Sequence, residues 1–132
     1  LNANYLKTLL EKVYDIPFSD GTMHEFVISG VKQKERGIKI LDIAKALLDR
    51  GFHSPTIYFP IQVPEAMMIE PTETESKETL DQFSESMIEI DKMIDNDPES
   101  IIASPFNTPV QRLDEIRANR NPDVRWKFDF SD

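Results

Sequence analysis

Between Gly51 and Lys77 the chain reads GFHSPTIYFPIQVPEAMMIEPTETESK, its densest run of groups able to do chemistry. His53 offers an imidazole whose charge is tunable near neutral pH, suited to a phosphate, a carboxylate or a cofactor ring. The plainer account is a loop histidine bonded to backbone, and the residues alone favour it. His24, at the start of a strand pattern, favours that plainer account more strongly. Glu70, Glu73, Glu75 and Glu78 form the kind of carboxylate cluster that hard cations seek. The spacing, however, lacks the alternating Asp/Asn and Gly of a calcium loop, and no His pair stands at i, i+4. Acidic residues in a first helical turn are accounted for by the helix dipole, so no metal site is expected.

Covalent chemistry has few candidates. No Gly-x-Ser-x-Gly elbow is present, there is no cysteine, and the four glycines are all isolated, so no Gly-rich loop can cradle a phosphate. On these residues alone, the chain holds no complete active site.

The elements that must position these groups are readable from periodicity. Leu6, Leu9, Leu10 and Val13 mark one face of a first helix, followed by Pro17 and the Ser19-Asp20-Gly21 turn. His24 to Ile28 reads as a strand ended by Gly30, and a further strand is possible near Tyr14 to Ile16. Gly37 opens a second helix with a stripe of Ile40, Ile43, Ala44, Leu47 and Leu48, and Gly51 is placed for a left-handed C-cap. Thr56 to Phe59 and Ala66 to Ile69 read as strands held between prolines. Leu80, Phe83, Met87, Ile90 and Ile94 then form the apolar seam of the longest helix. Its start is either a Thr72/Glu75 capping box or Ser76, and its end lies near Pro98. Pro98 to Ile102 adds a single turn. The expected fold class is α+β, a short, mainly antiparallel sheet packed against helices over residues 1–104. Residues 105–132 are expected to form an extended arm, with Val124, Trp126, Phe128 and Phe130 docking on a body outside the chain.

The bulk numbers agree with one domain plus a solvated tail. The chain has 132 residues, 39% of them hydrophobic, and a mean hydropathy of −0.42. Its 24 acidic against 15 basic residues give a net charge of −9, which repels nucleic-acid backbones. No apolar run approaches the ~20 residues that span a bilayer. Leu1 runs directly into a helical pattern with no basic leader, so a piece of a longer protein is expected. The lack of cysteine fits a reducing compartment, and the expected location is cytoplasmic.

Several blocks, in order, resemble the C-terminal part of the pyridoxal-phosphate-dependent glycine decarboxylase family (the P-protein of the glycine cleavage system), in its two-subunit form. They are Leu1 to Tyr5, His24-Glu25-Phe26, Asp42-Ile43-Ala44-Lys45, Gly51-Phe52-His53-x-Pro55-Thr56, Glu70-Pro71-Thr72-Glu73-x-x-Ser76-Lys77 and Leu80-Asp81-x-Phe83. Thr108-Pro109-Val110 and Arg112 to Glu115 resemble the tail of the split, bacterial-type subunit. Each string is short, but their order and spacing cover Leu1 to roughly Glu115. Arg50 departs from the Tyr usual before Gly-Phe-His, and Phe106-Asn107 from a His-Thr pair in the split form.

The resemblance implies the small C-terminal domain of a fold-type I pyridoxal-phosphate transferase. The whole enzyme would decarboxylate glycine and pass the aminomethyl group to the lipoyl arm of the H-protein. Its cofactor lysine lies upstream, in the large domain, and no lysine here matches that motif, so this chain alone is expected to be inactive. Expected partners are the large domain, a partner subunit, lipoylated H-protein and glycine. His53 and Thr56 are the leading cleft-facing candidates, then Glu70 and Thr72, then His24. Two other readings are an acidic protein-interaction module and the small domain of another fold-type I enzyme.

Overall fold

A computed structural model describes residues 1–126. In chain order the elements are α1 (Asn2–Leu10), β1 (Phe26–Ser29), α2 (Val31–Glu35), α3 (Ile40–Asp49), β2 (Thr56–Ile57), β3 (Ala66–Ile69), α4 (Lys77–Asn96), α5 (Pro98–Ala103) and α6 (Glu115–Arg120). The three strands form one antiparallel sheet in the order β1-β3-β2. Phe26 faces Ile69 and Ser29 faces Ala66 across one ladder, and Thr56 faces Met68 across the other. The α+β class, with helices packed on a small antiparallel sheet, is therefore as expected. Phe128 and Phe130 of the expected arm lie outside the described residues. Among the described residues, no helix is long and apolar enough to cross a membrane.

The core is built from the stripes that periodicity marks. Leu80, Phe83, Met87, Ile90 and Ile94 of α4 are all buried, as are Ile40, Ile43, Ala44 and Leu47 of α3 and Ala3, Leu6 and Leu10 of α1. Burying a Leu- or Ile-sized side chain is worth about 1.5–3 kcal/mol, so these three stripes carry the fold. Tyr14, also buried, donates its hydroxyl to the Met87 carbonyl at 2.9 Å and ties the end of α1 to α4.

Several boundaries differ from the sequence expectation, each for a local reason. Gly37 ends a helix instead of opening one. At φ +93° it follows α2, with Gly37 N–H donating to Lys34 O and Ile38 N–H to Gln33 O; this is the glycine-closed C-terminus that a left-handed residue permits. α3 starts later, where the Asp42 carboxylate accepts the Lys39 N–H at 3.0 Å. β2 stops at Ile57 because Tyr58 turns to φ +59°. The possible strand near Tyr14 is reduced to one bridge, Asp15 to Ser29, since Pro17 has no N–H with which to extend a ladder. Of the two starts expected for α4, the structure uses Ser76, whose hydroxyl accepts the Thr79 N–H at 3.2 Å; Thr72 instead shares a hydrogen bond with Thr74.

The segment after Ser104 is fastened at its root. The Asp49 carboxylate accepts the N–H groups of Phe106 and Asn107 at 2.7 Å. Arg112 pairs with Asp42 at 2.9 Å and donates to the Ser104 carbonyl at 2.6 Å.

Candidate functional site

The end of α3 sets the first wall of an open cleft. Gly51, at φ +79°, closes the helix as expected, with Gly51 N–H donating to Leu48 O and Phe52 N–H to Leu47 O. This reversal sends Phe52 toward the core, where its ring meets Phe83 edge-on with centroids 5.3 Å apart. His53 is left exposed on the rim. Pro55 and β2 come next in the chain, adding Thr56.

The second wall comes from the end of β3 and the turn after it. Ile69 is buried, so Glu70 points outward and Pro71-Thr72 opens the turn. Two hydrogen bonds from α1 hold that turn: Asn2 Nδ2 donates to Thr72 O at 2.7 Å and to Glu75 O at 3.4 Å. α4 completes the site with Thr79, Leu80 and Phe83.

The resulting cleft has a volume of about 380 Å³. Its floor is apolar, formed by Leu6, Phe52, Ile69, Leu80 and Phe83, and its rim carries His53, Thr56, Glu70, Thr72 and Glu75. Four of the five residues singled out from sequence thus share one cavity. His24 does not; it stands exposed beside Glu25, with Nε2 3.8 Å from that carboxylate.

Such a surface suits a ligand with an apolar body and polar or cationic ends. Among the described residues no three His, Asp or Glu side chains are gathered as a metal would need. Pyridoxal phosphate requires a lysine amine and donors for a phosphate dianion. No Lys or Arg lines the cleft, and its formal charges are the carboxylates of Glu70 and Glu75. Lys77, just past the α4 cap, is committed to Asp81 at 2.6 Å. The residues of this cleft therefore do not by themselves fit that cofactor.

Behind the sheet, Glu65 organises the scaffold, a role that sequence reasoning missed. Its φ is +49°; its carboxylate accepts the Ile40 N–H at 2.9 Å and lies 2.6 Å from the Lys34 ammonium. Burial alone would raise its pKa, but the hydrogen bonds from Lys34 and Ile40, with the Lys34 and Lys39 charges, outweigh burial and hold it below the ordinary carboxylate range. The available signal was a lone acid inside the apolar run PIQVPEAMMI.

Comparison with known proteins adds an independent line. A family model described as "Glycine dehydrogenase, C-terminal domain" matches residues 1–108. A probable glycine dehydrogenase (decarboxylating) subunit 2 from Shouchella clausii is 55% identical over 128 residues, covering 97% of this chain and 26% of the relative. Proteins of the same description from Caldanaerobacter subterraneus and Staphylococcus haemolyticus are 55% and 56% identical over 126 residues, 96% of this chain and 26% of each relative. The chain spans about a quarter of the length of these curated relatives.

Proposed function

The chain belongs to the glycine dehydrogenase C-terminal domain family, and from that membership we propose that it is the C-terminal domain of a two-subunit, pyridoxal-phosphate-dependent glycine dehydrogenase (decarboxylating) of fold type I. In this reading the complete enzyme, working in the cytoplasm, decarboxylates glycine and hands the aminomethyl group to the lipoyl arm of the H-protein. When bound, the cofactor withdraws electrons from the bond that breaks. The remainder of the protein holds it, because the cleft lining that this chain supplies contains no Lys or Arg.

What this chain contributes is one wall of the substrate cleft. The observation that carries this reading is the convergence of His53 and Thr56 with Glu70 and Thr72 on one cavity. Two separate sequence blocks thereby present an imidazole, hydroxyls and a carboxylate over an apolar floor. The imidazole of His53 makes no hydrogen bond among the described residues, so both ring nitrogens are available to a ligand. The Thr56 hydroxyl orients a polar group of the ligand, and Glu70 balances a cationic one. Phe52 and Phe83 present an apolar floor from which water is readily displaced, which strengthens those polar contacts.

The division of labour is tested by mixing the isolated chain with pyridoxal phosphate, reducing with borohydride and measuring intact mass. No adduct at a defined lysine is expected. A stoichiometric adduct at one lysine would make this chain a cofactor-binding unit in its own right and overturn the reading.

A further inference from the structure

We propose that residues 109–126 are an arm that grips the complementary subunit of the same enzyme, seating Leu113 and Ile116 in an apolar groove with an acidic rim. The inference rests on the two-subunit reading and deepens it. Three observations carry it.

The arm is aimed. Its root is fixed to α3 through Asp49, which accepts the Phe106 and Asn107 N–H groups, and through the Arg112–Asp42 pair. Residues 113–126 therefore leave the body from a set position.

The arm has a face with nothing against it among the described residues. Val110, Leu113 and Ile116 are 62%, 62% and 68% exposed, and α6 has no buried residue. A six-residue helix is far shorter than the ~12–15 residues at which isolated helices become even marginal in water. Capping by Asp114, which accepts the Arg117 N–H at 2.9 Å, cannot make up that deficit, so a packed partner surface must. Among the described residues neither Arg117 nor Arg120 makes an ion pair, which suits carboxylates on the rim of a receiving groove.

The extents of the two kinds of match point to the occupant. The domain model stops at residue 108, whereas matches of 126 residues in this 132-residue chain necessarily run well past it. Those longer matches are to proteins described as subunit 2. A segment outside the domain pattern, yet shared by subunit 2 proteins, is best explained by what such proteins face: a separate partner chain.

The test uses the full-length protein and its complementary subunit. Association is measured by sedimentation for wild type and for Leu113→Asp with Ile116→Asp, and the melting temperature of each lone subunit is recorded. The double variant is expected to raise the dissociation constant at least about 30-fold without lowering that melting temperature. Arg117→Glu with Arg120→Glu is expected to weaken association most at low salt. Unchanged association in both variants overturns the proposal. So does a lowered melting temperature with association intact, which would seat the arm on its own polypeptide, or loss of self-association alone, which would seat it on a second copy. If the wild-type subunits do not associate at all, the two-subunit reading falls and takes this proposal with it.

Discussion

The side-chain amide of Asn2 donates to the carbonyl of Thr72 at 2.7 Å, joining the first turn of α1 to the turn that comes after Glu70. Seventy residues separate the two, so no local propensity supplies this contact. It fixes one lip of the cleft against a helix whose same face, one turn on at Leu6, forms part of the floor. Asn2→Ala should cost about 1 kcal/mol. Hydrogen exchange should show the larger effect in the 72–75 turn, at the Glu75 N–H that donates to Thr72 O, with α3 unaffected.

Glu65→Gln tests the clamp behind the sheet. The variant keeps the shape and loses the charge that binds Lys34 and the start of α3. At neutral pH the cost should be about 1.5–3 kcal/mol, as for hydrogen bonds to a charged group. Because the folded pKa lies below the unfolded value, Glu65 stabilises the fold above the ordinary carboxylate range. That stabilisation is lost as pH falls through the folded value. Urea melts should therefore show the gap between wild type and variant narrowing as pH falls from neutral to below the ordinary carboxylate range.

Tyr14→Phe removes a buried hydroxyl and leaves the Met87 carbonyl without that partner. The expected loss is about 1–2 kcal/mol. Burial, reinforced by the Asp91 charge, pushes the phenol's ionisation well above its ordinary range. The folded form therefore keeps the proton, and the loss should be the same in denaturant melts at about pH 6 and about pH 9.

Much of the scaffold is legible because it is set locally. The 3,4,3,4 spacing from Leu80 to Ile94 identifies α4 without reference to anything else, and the stripe ending before Gly51 places the α3 terminus. The cleft was legible in part for the same reason: His53 comes just after a helix end, and Glu70 just after a buried strand end. Gly37 was misread because glycine suits several backbone roles, and only its positive φ assigns it to the end of α2. Tyr58 shortens β2 through a left-handed turn that its aromatic, strand-favouring type conceals. Glu65 and Asn2 were invisible because their partners lie 25 and 70 residues away. His24 lies outside this cleft for the converse reason: a matching motif does not specify where a residue ahead of a strand, here two before the start of β1, comes to face.

The most direct test of the cleft assignment is made in the complete two-subunit enzyme with lipoylated H-protein, by measuring carbon dioxide release from carboxyl-labelled glycine. The double variant His53→Ala with Thr56→Val should lower kcat/KM by at least about 10-fold, the equivalent of about 1.4 kcal/mol of transition-state stabilisation. Its melting temperature should match wild type, because both side chains are exposed. Turnover within about twofold of wild type, in a variant that assembles normally, would contradict the claim that this domain walls the substrate cleft.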